Sequence, residues 1–131
     1  MITAIDSCIL LDILVDDPEF AERSMANLQQ ARKEGSLLVC DLVVAEIFPI
    51  IGKNLEDFLS DLSLEYSAPS FEAAQTAGAA FERYLKRGGK RGRIVADFII
   101  GSHATHQANR LLTRDDGFSR DYFKTLKVWY P

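Results

Sequence analysis

Apolar residues in this chain fall into short runs and helical stripes, and the two patterns alternate. Residues 1–5, "MITAI", form an apolar run without period-two alternation, which predicts a short buried strand. Residues 36–40, "SLLVC", predict a second. Between them, Asp17 and Pro18 suit an N-cap and a first helical position, so a helix is expected from Pro18 to about Glu34, stopped by Gly35. Asp41 caps a helix that Pro49 kinks or ends. Asn54 caps a shorter one, "LEDFLSDL", and "LEYSA" predicts a third strand. Ser70 and Glu72 open a helix to about Lys86, ended by Gly88 and Gly89. "RIVADFIIGSHATHQA" predicts a further helix, and "RLLT" and "LKVW" a fourth and fifth strand.

Short apolar strands alternating with helices predict an α/β fold, a parallel sheet with helices on both faces, which makes three layers. The length suits one domain over residues 1–131. In open sheets of this kind, ligands bind outside the carboxyl ends of the strands, at the topological switch point. Two acids fall there. Asp6 follows "MITAI" directly, and Asp115 follows "RLLT" closely. The bland reading of Asp6 is a helix N-cap, and that of Asp115 a turn residue in "RDDG".

Two more acids stand out by their neighbours. Glu46 is the one charge in "VVAEIFPII". Counted from Asp41, it shares a helical face with Leu42, Val43, Ile47 and Ile50, so it is expected on the core-facing stripe. A buried, unpaired carboxylate costs several kcal/mol unless it protonates, pairs or binds a metal. Snorkelling from the stripe edge is the alternative. Asp97 shares a face with Ile94, Gly101 and Ala104, whose small residues would let another backbone approach. Aspartate is a poor residue for a helix interior, although near the N-terminus the helix dipole favours it. Four carboxylates brought together would repel unless a cation joined them. A hard divalent ion such as Mg²⁺ or Mn²⁺ fits oxygen ligands, and the chemistry implied is phosphodiester hydrolysis.

Composition and charge change this picture little. Hydrophobic residues make up 47% and charged residues 26%, ordinary for a globular protein. Cys8 and Cys40 lack CxxC spacing and read as reduced core thiols of a cytoplasmic protein. The N-terminus has no basic region, so a signal peptide is not expected, and no apolar run reaches membrane-spanning length. The formal net charge of -4 argues mildly against nucleic acid as a partner. The cations are clustered, however, in "KRGGKRGR" just before the Asp97 helix. Lys90, Arg91 and Arg93 there, with Lys86 and Arg87, are candidate contacts for RNA phosphates, or else a solvated loop. Arg114 is a further candidate phosphate contact. His103 and His106 have no third histidine to join them, so zinc is not expected and both read as surface or partly buried. The C-terminal aromatics read as packing, with base stacking as the alternative.

The ordered segments "AIDSCILLD", "VVAEIF", "GRIVADFIIGSHA" and "LLTRDDGFSRDYF" resemble the PIN-domain ribonucleases, most closely the VapC-type toxins of toxin–antitoxin pairs. The resemblance spans nearly the whole chain. It implies a compact α/β/α fold and a Mg²⁺- or Mn²⁺-dependent endoribonuclease acting on RNA. Asp6, Glu46, Asp97 and Asp115 match its acidic residues in order. Asp116 is an alternative to Asp115, and Ser7 occupies a position that often carries a hydroxyl. The resemblance also implies a small cognate antitoxin and a homodimer, for which part of "IFPIIG" and the following helix would supply apolar surface. Two other functions compete. One is a non-catalytic PIN-like module that binds RNA or protein. The other is an acidic phospho-receiver, against which stands the lack of an aspartate after the third strand.

Overall fold

The computed structural model describes residues 1–90, 94–115 and 121–131, with Ile94 described by its backbone. Arg91, Arg93, Asp116 and Phe118 therefore lie outside the described residues. Strand β1 (Ile2–Ile5) leads into α1 (Ser7–Leu14) and α2 (Ala21–Glu34). Strand β2 (Ser36–Val39) leads into α3 (Asp41–Ile51), one 3-10 turn at Gly52–Asn54 and α4 (Leu55–Asp61). Then follow β3 (Leu64–Tyr66), α5 (Phe71–Lys86), α6 (Ile94–Gln107), β4 (Arg110–Leu112) and β5 (Val128–Trp129).

All four strand pairings are parallel, and the order across the sheet is β3-β2-β1-β4-β5. The expected three-layer α/β sandwich with a short parallel sheet is what the chain forms. From β1 the chain winds outward to β2 and β3, then returns to the other side of β1 to lay down β4. The direction of winding reverses between β1 and β4. Register pairs Ile5 with Leu112 there, and the Asp6 N–H donates to the Leu112 carbonyl at 3.0 Å. The switch point is therefore the gap between the ends of these two strands.

Burial explains why these segments fold as they do. Thr3, Ala4 and Ile5 of β1 are all buried, as a strand covered on both faces requires. Ile9 and Leu10 of α1, Leu28 and Ala31 of α2, and Val43 and Ile47 of α3 fill one side of the core. Phe98 of α6 is wholly buried and centres an aromatic cluster, with Tyr122 edge-on at 5.2 Å and Tyr84 at 5.8 Å. The C-terminal aromatics Tyr122 and Phe123 are thus packing residues.

Local signals differ from the expected boundaries for identifiable reasons. Asp17 accepts from the Glu19 and Phe20 N–H groups, both at 2.9 Å, and caps a turn instead of the helix, which starts at Ala21. Cys40, not Asp41, is the N-cap of α3, while the Asp41 carboxylate accepts from the Leu42 N–H at 3.0 Å. Pro49 lies inside α3, which continues to Ile51 and stops at Gly52, where φ is +53°. Gly35 ends α2 as expected, and a Cβ there would lie 1.8 Å from the Met1 carbonyl oxygen. Gly101 does allow a close approach, but by the Phe123 ring, 2.7 Å from where a Cβ would stand, and not by a backbone.

His103 is 1% exposed, so it is a core residue and not a surface one. Its Nε2 shares a hydrogen bond with the Ser67 hydroxyl at 3.1 Å. Burial pushes its pKa below the ordinary histidine value, against a smaller opposite pull from Asp41. The unfolded chain therefore takes up this proton at higher pH than the folded one. Stability is expected to fall as pH drops through about 6.5, the unfolded histidine value. Urea midpoints at pH 7.5 and 5.5 check this, and the difference should shrink in His103→Asn.

Candidate functional site

The chain from Ile5 into α1 turns at Asp6, which adopts extended backbone and caps the helix. One carboxylate oxygen accepts from the Ser7 N–H at 2.7 Å, and the Ser7 hydroxyl lies 3.4 Å from the same oxygen. Ser7 is buried. The other oxygen accepts from the Thr113 hydroxyl at 2.6 Å. That hydroxyl oxygen in turn accepts from the Asp115 N–H at 3.0 Å. One threonine at the end of β4 thus links the two acids of the switch point. Asp6 is half-buried and Asp115 exposed.

Cys8 lies against the same group. Its thiol is 3.6 Å from the Asp6 carboxylate and 3.5 Å from the Thr113 hydroxyl, and accepts from the Arg114 N–H at 3.4 Å. Burial first, and then the Asp6 charge, push its pKa up to about 11. It stays a thiol at neutral pH. Both cysteines are free.

Glu46 is not where the helical count placed it. It is exposed, as is Ile50, whereas Val43 and Ile47 are buried and Leu42, Val44 and Ile51 half-buried. The inward stripe runs through Cys40, Val43, Val44, Ile47 and Ile51. Apolar residues surround α3 on nearly every side, so two stripes fit the same 3.6-residue period, and packing against α1 selected the other one. Glu46 stands at the edge of that stripe and, with Asp97, lines a cleft of about 460 Å³ walled by Leu11, Val95 and Ala96. Asp97 is half-buried in the first turn of α6, while Gly101 and Ala104 behind it are buried. Because Glu46 is not desolvated, Glu46→Gln is expected to shift stability by ~1 kcal/mol or less, readable as a chemical denaturation midpoint.

Thr113 thus connects the Asp6 carboxylate to the backbone N–H of Asp115, and Glu46 and Asp97 line one cleft. Among the described residues no three His, Cys, Asp or Glu side chains form one metal-holding group. The donor chemistry of all four, carboxylate oxygen, fits a hard divalent cation.

Arg114, a candidate phosphate contact, is engaged within the chain. Its guanidinium donates two 2.7 Å hydrogen bonds to the two carboxylate oxygens of Asp12 and lies 4.0 Å from the centre of the Phe20 ring. Asp12 also accepts from the buried Ser24 hydroxyl at 2.7 Å. Its side chain is 4% exposed, against 31% for Arg114. Asp12 is thus the buried acid among the described residues, and its place in "CILLDIL" resembles that of Glu46 in "VVAEIFPII". Lys90 is exposed, and its backbone N–H and carbonyl are both tied to the Tyr84 hydroxyl at 3.1 Å.

A family model described as PIN domain matches residues 3–124. The chain belongs to the PIN-domain family. No curated protein matches it. Among solved structures, this PIN domain is similar to VapBC2 from Rickettsia felis bound to a DNA fragment from its promoter. That match has 21% identity and a TM-score of 0.76, over 99% of this chain and 98% of that one. It is also similar to DNA-bound VapBC from Salmonella typhimurium, at 14% identity and a TM-score of 0.69, over 99% and 98% of the two chains. FitAcB from Neisseria gonorrhoeae matches at 19% identity and a TM-score of 0.68, over 98% and 96%. At such identities the likeness is one of fold. In the PIN domain described here, no helix among the described residues is long and apolar enough to cross a membrane.

Proposed function

We propose that this PIN domain is a Mg²⁺- or Mn²⁺-dependent endoribonuclease, the cytoplasmic toxin of a toxin–antitoxin pair. The observation that carries the reading is the link between Asp6 and Asp115 through Thr113 at the switch point of a parallel sheet. PIN domains are generally nucleases, and the VapBC and FitAB relatives are toxin–antitoxin complexes.

Asp6, Asp97 and Asp115 would hold the cation, with Glu46 joining them directly or through water. When bound, such an ion lowers the pKa of a water it holds and withdraws charge from a phosphoryl oxygen. The chain's own residues supply the rest. The Ser7 N–H and the Thr113 hydroxyl fix the two oxygens of Asp6, so its carboxylate is oriented before any ligand arrives. Glu46, exposed in the cleft, would take a proton from an attacking water as general base. Its loss in Glu46→Gln should lower cleavage by ~10²-fold or more, against the small stability change given above.

The partners follow the same reading. A small cognate antitoxin would restrain the nuclease. A second copy would cover Phe48 and Ile50, which are 53% and 52% exposed on α3. The test is cleavage of a labelled structured RNA with Mg²⁺ or Mn²⁺ and with EDTA. Metal-dependent cleavage is expected, and equal cleavage under both conditions would refute the reading. RNA affinity without turnover under any metal would instead mark a non-catalytic PIN-like binding module.

A further inference from the structure

A second cleft, of about 390 Å³, lies between α5, α6 and the segment 121–125. Three cations line it, Arg83, Arg87 and Lys124, against one carboxylate, Asp121. All four are exposed. This is an unusual balance in a chain with a formal net charge of -4. Among the described residues no carboxylate lies within ion-pair distance of the three cations. The neighbouring Lys86, by contrast, is paired with Glu82.

Two of the cations are held in place without being neutralised. The Arg83 and Arg87 guanidinium groups stand over the Tyr122 ring, 6.0 and 5.0 Å from its centre. Arg83 also donates to the Tyr122 carbonyl at 3.2 Å. Arg83 lies in the last turn of α5 and Arg87 is its C-cap, four residues on. An aromatic platform keeps both charges while restricting both side chains, and less rotamer freedom is left to lose on binding an anion.

Asp97 and Thr105 lie on α6 at i and i+8, two four-residue steps that together turn only ~80° around the axis. Asp97 lines the acidic cleft and Thr105 the basic one. Along the axis they are ~12 Å apart. α6 thus contributes a residue to each cleft, Asp97 to the acidic one and Thr105 to the basic one.

We propose that this cleft is the track on which the RNA strand lies outside the cleavage point, with Arg83, Arg87 and Lys124 contacting successive backbone phosphates. The inference rests on the ribonuclease reading. It adds a surface that the sequence cluster "KRGGKRGR" only touches, through Arg87. Contacts of this kind are independent of base identity and set affinity and register.

The test is binding of a fluorescein-labelled single-stranded RNA, without divalent metal, followed by anisotropy across a salt series. The variants are Arg83→Gln/Arg87→Gln/Lys124→Gln and, separately, Asp121→Asn. The triple variant is expected to bind about ten-fold more weakly at low salt. Its slope of log affinity against log salt should fall by about 2, since three contacts each contribute ~0.7 on a single strand. Asp121→Asn should bind more tightly than the unaltered chain. Circular dichroism and the thermal midpoint confirm that both variants fold. Unchanged affinity and slope in the triple variant would overturn the proposal. If the unaltered chain still cleaves RNA in the presence of metal, the nuclease reading survives that result. Loss of binding to polyglutamate with unchanged RNA binding would also overturn it, and would assign the cleft to an acidic protein partner.

Discussion

Asp6→Asn is expected to lower the RNA-cleavage rate by about a thousand-fold or more and to leave the fold standing. The rate loss follows from charge. A carboxylate that helps hold a divalent cation at a phosphoryl group contributes several kcal/mol to the transition state, and each ~1.4 kcal/mol is a factor of ten. The retained fold follows from geometry. Asparagine is as good an N-cap as aspartate, and its carbonyl oxygen can keep the 2.7 Å bond from the Ser7 N–H. Its amide would face the Thr113 hydroxyl, which already accepts from the Asp115 N–H and has a second lone pair to offer. A hydroxyl proton turns, and little else moves. The paired measurements are single-turnover cleavage with Mn²⁺ and a denaturation midpoint. Cleavage at the unaltered rate in Asp6→Asn would remove Asp6 from the catalytic set.

The largest effect on stability is expected at Arg114, and more from the arginine than from its partner. Arg114→Ala strands the Asp12 carboxylate, 4% exposed, with the Ser24 hydroxyl as its remaining described partner. An uncompensated buried charge of this kind costs ~3–5 kcal/mol. Asp12→Ala leaves a guanidinium that is 31% exposed and can turn to water, at the cost of an unpaired buried serine hydroxyl, ~1–3 kcal/mol. The double variant should therefore be nearer to Asp12→Ala than to Arg114→Ala. Arg114→Lys should recover only part of the loss, because two parallel bonds to one carboxylate need the planar fork. Urea denaturation of the four variants checks the order. Asp12→Ala proving costlier than Arg114→Ala would contradict it.

What could be read from the sequence depended on distance along the chain. The strands were legible as short apolar runs, and their parallel pairing followed from alternation with helices. Asp6 and Asp115 were legible because a strand end is local and an acid beside it is visible. The Asp12–Arg114 pair was not, because the partners are 102 residues apart and neither flank names the other. A cation next to Asp115 suggested a phosphate contact, when its charge was already engaged. Glu46 shows a different limit. The period of α3 was right and its phase was wrong, because a helix apolar on most sides offers no polar face to orient it. The basic cleft was missed because Arg83, Arg87 and Lys124 meet only when the segment after β4 returns over α5.

The Thr113 link also bears on how the protein is made. Asp6 is synthesised first, and the hydroxyl that orients it arrives 107 positions later. The β1–β4 pairing has a similar separation and closes a loop of nearly the whole chain. A nascent or truncated polypeptide ending before Leu112 has its first acid but lacks both the strand beside it and the side chain that aims it. The two-acid link cannot form until Thr113 has been added to the chain.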